Sequence, residues 1–236
     1  TEGLNDMAKA IEKYHNPYSE LHESRNNWLE LKKSGGKNLL YFTGCTAAYR
    51  EKEIASDTVE LLETLGNRIS ISSEEWCCGS PLIRTGDEEF GLELAQHNVE
   101  MLNASDAEEI IVTCPGCYRV LTRDYPDYDL KLNKPVKHIS QVLEEQIGNL
   151  PVDKFEGSIT FHDSCHLGRH CDIYDEPRKV IEKVSGAPLV EMERTRDNAM
   201  CCGNGAGLRT LFPDKAKKIG AERVKQAKNT GANILV

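Results

Sequence analysis

The sequence carries one cysteine pattern nearly twice. The first copy is Cys45, Cys77-Cys78-Gly79 and Cys114-Pro115-Gly116-Cys117, and the second is Cys165 and Cys201-Cys202-Gly203. Eight of the nine cysteines belong to the pattern, and only Cys171 stands outside it. Near-repetition on this scale predicts an internally duplicated chain. Adjacent cysteines make strained disulfide partners for each other. The CxxC and CCG elements therefore read as thiolates gathered round a metal in a reducing compartment, not as a disulfide framework. If the second copy keeps the first copy's spacing, its CxxC falls just beyond Val236. The chain thus reads as interrupted at the strand that delivers its last ligands.

Each long interval between cysteines has room for a helix and a return strand. Residues 38–43 are a short apolar run that predicts a buried strand ending at Gly44-Cys45. Ile54, Thr58, Leu61, Leu62 and Leu65 share one face of a helix over 51–65, which Gly66 stops. Residues 68–72 alternate like a strand, 90–102 read as a helix, and 109–113 form a third strand ending at Cys114. The second half repeats the order: strand 159–162, helix 176–184, strand 189–192, helix 215–228 and strand 233–236. The expectation is an α/β fold of two tandem Rossmann-like β-α-β-α-β units with parallel sheets, related by internal duplication. The expected domains are a helical lead-in over 1–37, a first unit over 38–133, a linker over 134–157 and a second unit over 158–236. The lead-in is expected to hold helices over 5–14 and 24–33, then a turn at Ser34-Gly35-Gly36; the linker is expected to hold one helix over 141–147.

Every cysteine group follows the end of an expected strand. Ligands of open parallel sheets sit beyond the carboxyl ends of the strands. Loops far apart in sequence can therefore converge on one site. Cys45, Cys77, Cys78, Cys114 and Cys117 offer five thiolates there. A structural zinc takes four ligands from short knuckles, and an iron–sulfur cluster also commonly takes four. A fifth points to an unusual cluster or to a thiolate free for redox chemistry, with zinc as the second reading. Gly44, Gly79, Gly116 and Gly203 either let backbone approach the cluster or are ordinary turn glycines. Cys171 reads as a small buried hydrophobe, Asp163 and Asp197 as solvated loop carboxylates, and Trp76 as a shield against water or a core filler.

The net charge of −9 excludes a nucleic-acid surface, which needs clustered Lys and Arg against phosphates. No stretch approaches the roughly 20 apolar residues that span a bilayer. The first residues lack the basic start and apolar run of a signal peptide, and they lack Met, so the chain reads as a piece of something longer.

The pattern Cys-x31-Cys-Cys-Gly-x34-Cys-Pro-Gly-Cys, with its partial copy around His162-Asp163-Ser164-Cys165-His166 and Met200-Cys201-Cys202-Gly203, resembles the cysteine-rich CCG domain family. Its best-known members are the B and D subunits of heterodisulfide reductase, and the iron–sulfur subunits of glycolate and lactate oxidation systems are similar. The resemblance covers about residues 38–236. It implies that Cys45, Cys77, Cys78, Cys114 and Cys117 hold a noncubane 4Fe–4S cluster, and that Cys165, Cys201 and Cys202 hold part of a second. It implies an oxidoreductase that reduces a small-molecule disulfide such as the one joining coenzyme M and coenzyme B. Its implied partners are other redox subunits: a ferredoxin-like cluster module, a flavoprotein or a cytochrome b. The implied place is the cytoplasm, or the cytoplasmic face of a membrane complex. The segment from Asn16-Pro17-Tyr18 to Trp28-Leu29 resembles the one that follows a ferredoxin-like module in D-type members.

His162 and His166, with His170 beside them, are the candidate catalytic proton donors; packing at the strand end is the alternative. Arg169 and Arg209 are candidates to attract anionic substrate tails. Two rival classes stand beside this reading. One is an electron-transfer subunit of a glycolate- or lactate-type dehydrogenase complex. The other is a zinc-binding interaction module without redox activity.

Overall fold

Four short runs, two of them apolar, build a parallel sheet in the first half of the chain. The computed structural model describes residues 2–30, 35–152 and 155–236. These divide into two compact units, Thr1–Ile139 and Ser140–Val236.

In the first unit, helix α1 (Glu2–Tyr14) buries Ile11 against Cys77, Leu82 and Leu94. All five residues of β1 (Asn38–Phe42) are buried, as a strand covered on both faces must be. Helices α2 (Cys45–Tyr49) and α3 (Lys52–Thr64) lead to β2 (Arg68–Ser70). Then α4 (Ser80–Ile83) and α5 (Glu88–Ala104) lead to β3 (Glu109–Val112). Beyond β3 come α6 (Pro115–Arg119), a π-helical turn over Val120–Asp124, α7 (Tyr125–Asp127) and β4 (Val136–His138). The order is β2-β1-β3-β4, and every pair is parallel.

The second unit opens in α8 (Ile139–Glu145), followed by β5 (Ile159–Thr160), α9 (Gly168–Cys171) and α10 (Asp175–Ser185). After them come α11 (Leu208–Leu211), α12 (Pro213–Asn229) and β6 (Ile234–Leu235). Ile159 of β5 pairs in parallel with Ile234 and with Leu189. The first strand thus lies between the second and the third, as β1 lies between β2 and β3. This is the tandem α/β repeat expected from the cysteine pattern.

Three local expectations change. The linker contains a strand: β4 is short and carries Lys137, and pairing with Ile110, Ile111 and Val112 draws it into the sheet. The strand expected over 189–192 shrinks to a bridge at Leu189. Pro188 has no N–H for a ladder, and Glu191 is held by Arg178 at 2.6 Å. The helix expected over 24–33 is a 3-10 turn at His22–Ser24 with further turns through Trp28, because Arg25 is drawn inward by Glu75. Residues 31–34, part of that expected helix and its following turn, lie outside the described residues.

Candidate functional site

The register of the sheet brings the first cysteine group together. Phe42 stands opposite Val112 in parallel strands, so Gly44-Cys45 and Cys114 leave the same end of the sheet. The loop after β2 brings Cys77 and Cys78 to them. Cys77 is hydrogen-bonded to Cys45 and Cys78, Cys117 donates to the Cys78 sulfur at 3.6 Å, and Cys117 also bonds Cys114. All five expected thiols therefore form one unbroken contact chain. Cys77, Cys78 and Cys117 are buried, and no cysteine is in a disulfide.

Proton sharing sorts these thiols. Hydrogen bonds to Cys45 and Cys78, with burial, push the Cys77 thiol well up. Bonds to Cys114 and Cys78 do the same to Cys117. Bonds from Cys117 and Cys77 hold Cys78 well below the ordinary thiol range, and Cys117 lowers Cys114. Five soft donors packed this closely are the chemistry of a thiolate-bound metal or an iron–sulfur group. The backbone leaves them space: a Cβ on Gly44 would stand 3.2 Å from the Cys117 sulfur.

The second group is more open. Cys201 and Cys202 are exposed, while Cys165 is half-buried. Burial first, then the charges of Cys201 and Cys202, push the Cys165 thiol up. The ligand atoms of Cys165, His166 and His170 lie within 4.8 Å of one another. His162 points its chemistry elsewhere: its Nδ1 accepts from Arg223 Nε at 2.9 Å, which leaves its own proton on Nε2. Burial and the Arg223 cation hold its pKa below the ordinary histidine value. Arg169 donates to the backbone oxygens of Asp197 and Ala199, so it braces the loop entering Cys201. Arg209 is exposed. Asp163 is not a solvated carboxylate; it is 3% exposed and carries a bidentate pair to Arg178. Cys171 is buried, as a small hydrophobe would be.

The cysteine-rich CCG domain family matches residues 39–122 and 159–236. The chain belongs to that family. It is 40% identical, over 98% of its length, to the D-type subunit of the dihydromethanophenazine:CoB–CoM heterodisulfide reductase of Methanosarcina mazei, and it spans 59% of that relative. It is 31% identical to the B-type subunit of the fumarate reductase (CoM/CoB) of Methanothermobacter marburgensis, over 85% of this chain and 40% of the relative. It is 32% identical to the EtfAB:quinone oxidoreductase of Syntrophomonas wolfei, over 90% of this chain and 32% of the relative. The chain therefore spans less than two thirds of each of these relatives.

The two CCG domains explain the glycine of their own motif. Gly79 has φ +77° and Gly203 has φ +81°. A Cβ on Gly79 would fall 2.5 Å from the Gly91 oxygen of α5, and one on Gly203 would fall 2.5 Å from the Ala216 oxygen of α12. In both domains the glycine that follows the paired cysteines thus lies against a helix backbone that leaves no room for a side chain. Gly79→Ala is expected to cost about 1–2 kcal/mol from its left-handed backbone alone, with the collision added. Gly86, at φ +94° with nothing within 4 Å, supplies the comparison. Urea unfolding should show a clearly larger loss for Gly79→Ala than for Gly86→Ala; equal losses would remove the close-approach argument.

Several supporting residues carry no signal in the cysteine pattern. Asn98 donates to the Cys77 carbonyl at 3.0 Å and accepts from the Trp76 N–H at 3.1 Å. Tyr125 donates to the Cys78 carbonyl at 3.0 Å. His138 Nε2 donates to the Thr113 carbonyl, just before Cys114. Trp76 is stacked between His15 and His97, with centroids 3.8 Å and 3.5 Å away, and His15 accepts the Cys77 N–H through its carbonyl at 2.8 Å. Trp76 packs against the cluster that holds Cys77, and with His97 it lines an open hollow of about 670 Å³.

Each CCG domain also ties its first cysteine loop to its CCG loop through one buried carboxylate and one buried arginine. In the first, Glu75 precedes the paired cysteines and accepts the N–H groups of Thr43 and Gly44. In the second, Asp163 precedes Cys165 and accepts the N–H of Arg196 from the other loop. Arg25 and Arg178 neutralise these carboxylates.

Proposed function

We propose that Cys45, Cys77, Cys78, Cys114 and Cys117 hold a noncubane 4Fe–4S cluster, and that Cys165, Cys201 and Cys202 hold part of a second. On this reading the protein is part of an iron–sulfur oxidoreductase subunit that reduces a small-molecule disulfide, such as the one joining coenzyme M and coenzyme B. It works with other redox subunits in a cytoplasmic complex or one on the cytoplasmic face of a membrane. Among the described residues no helix is long and apolar enough to cross a membrane. The contact chain of five thiols, three of them buried, carries the reading.

A bound cluster supplies single electrons and iron to receive sulfur. The chain's own groups bind, shield and deliver protons. Trp76 and its histidine stack keep water from the CCG loop. Protons come from His166 and His170, whose rings flank Cys165. His162 is the weaker donor, because its lowered pKa keeps it neutral at pH 7 and its Nδ1 is occupied. Arg209 can meet an anionic tail, whereas Arg169 is committed to backbone carbonyls.

Exposure of Cys201 and Cys202 favours a second reading, electron transfer without a substrate of its own. Metal and acid-labile sulfide analysis of the anaerobically purified full-length protein tests both. Zinc without iron would end both redox readings. EPR with oxidised and with reduced coenzyme M then separates them, since only disulfide reduction gives a substrate-induced iron–sulfur signal. Cys78→Ser is expected to remove most of the iron bound at the first site, while Cys171→Ser leaves the iron content unchanged. Equal iron in the two variants would argue against the assignment of Cys78.

A further inference from the structure

Arg25 lies outside the cysteine pattern, in the lead-in, yet its side chain is only 2% exposed. A guanidinium cannot be deprotonated in a protein, so it persists in the interior only among groups that offset its charge. Glu75 is one such group, through Arg25 Nη2 and Glu75 Oε1. Glu75 is shared, however. Its two oxygens also accept the N–H groups of Thr43 at 2.8 Å and Gly44 at 2.9 Å, directly before Cys45. On its other side the guanidinium stands 5.5 Å from the ring centroid of Tyr49. Tyr49 follows Cys45 by four residues on α2, so the two share a helix face. Arg25 is therefore lodged between the loop and the helix that present Cys45.

Its hydrogen bonding is incomplete there. Arg25 Nε and Nη1 are buried and meet no acceptor in full hydrogen-bonding geometry among the described residues; the Tyr49 hydroxyl, itself buried and unpaired, interacts with the guanidinium. Buried donors left this way call for an acceptor, and charged donors most of all. The nearest reactive chemistry is the cysteine site, whose cluster and thiolates carry negative charge.

We propose that Arg25 is a charge-setting and positioning residue of the first cysteine site: its fixed positive charge and two free N–H groups serve the anionic group held at Cys45 and raise its reduction potential. The proposal rests on the cluster reading above. Reduction adds an electron, and a fixed cation in a low-dielectric interior favours the state with more negative charge. N–H groups near cluster sulfur act in the same direction.

The test compares Glu75→Gln with the double variant Arg25→Gln/Glu75→Gln in the full-length protein. Glu75→Gln keeps one acceptor oxygen for the Thr43 and Gly44 N–H groups and loses the other in both variants alike, so the two variants differ only at Arg25. Three quantities are read: iron and sulfide content, the midpoint potential from an EPR-monitored redox titration, and thermal unfolding. The expected result is full iron in both variants. The double variant should have a potential lower by at least a tenfold change in the reduction equilibrium, about 59 mV for one electron. Equal potentials with full iron overturn the proposal and leave the cluster reading standing. Iron lost from the double variant with unfolding unchanged supports it, and Arg25→Lys should then restore part of the iron. Iron lost together with the fold, in the double variant and in Arg25→Lys, overturns it in favour of a purely structural brace. Wild-type protein without iron and sulfide overturns the cluster reading and this proposal with it.

Discussion

Arg178→Met is expected to destabilise the second unit by about 3–5 kcal/mol, the usual cost of breaking a buried ion pair by removing one partner. Arg178 is 6% exposed and holds both oxygens of Asp163, at 2.7 and 2.8 Å. It also bonds Glu191, Thr195 and the Tyr174 carbonyl. Without it the Asp163 carboxylate keeps, among the described residues, only the Thr195 hydroxyl and the Arg196 N–H. A neutral methionine satisfies none of the other acceptors. Burial alone would raise the Asp163 pKa, but Arg178 and the Arg196 N–H hold it below the ordinary aspartate value of 3.8. The sign follows: this stabilisation is present above the unfolded pKa and fades only as pH drops below it. Urea unfolding at pH 7, followed by circular dichroism, measures the loss. Because Asp163 and Arg196 belong to the two loops that carry Cys165 and Cys201, metal uptake by the second CCG domain should fall as well. A midpoint within error of wild type would show that the pair is not sealed from water.

The first unit is expected to lose about 3 kcal/mol between pH 6.5 and pH 4 through His138 alone. Its pKa is lowered from 6.5 to about 4, because burial disfavours the imidazolium more than the Thr113 carbonyl favours it. The native state therefore binds fewer protons than the unfolded chain across this window. Stability is complete above the unfolded pKa and declines as pH falls towards the folded one. His138→Gln keeps an N–H for the Thr113 carbonyl and removes the titration. Denaturation curves from pH 4 to 7 should be flatter for the variant than for wild type. Parallel curves would rule His138 out as the source of the acid sensitivity.

Both predictions rest on residues the cysteine pattern did not point to, and for one reason. Asp163 sits in a loop, and a loop carboxylate in a sequence has no visible partner; its arginine is fifteen positions away on α10. His138 sits in a segment that reads as a linker, because three residues with a lysine among them show no strand period. Glu75 and Arg25 are fifty positions apart. Asn98 of α5 and Tyr125 of α7 hold the carbonyls of Cys77 and Cys78, a task that nothing in their local sequence marks. The strand expected over 189–192 failed in the opposite way: it shrank to a bridge at Leu189, where Pro188 has no N–H to donate and Glu191 is paired with Arg178.

What the sequence determined by itself was the repeat and the cysteine groups. Spacing, glycines and apolar runs are local properties, so they predicted two parallel α/β units with thiols at the ends of strands. The tertiary structure decided which thiols are buried and which are exposed, and which distant charges hold their loops together. Cys77 and Cys78 are both buried, Cys77 packing with Leu82 and Leu94 under Trp76, whereas Cys201 and Cys202 are exposed, although the two motifs read alike. Burial and ion pairing depend on what the rest of the chain brings to a place, and that is settled only when the chain folds.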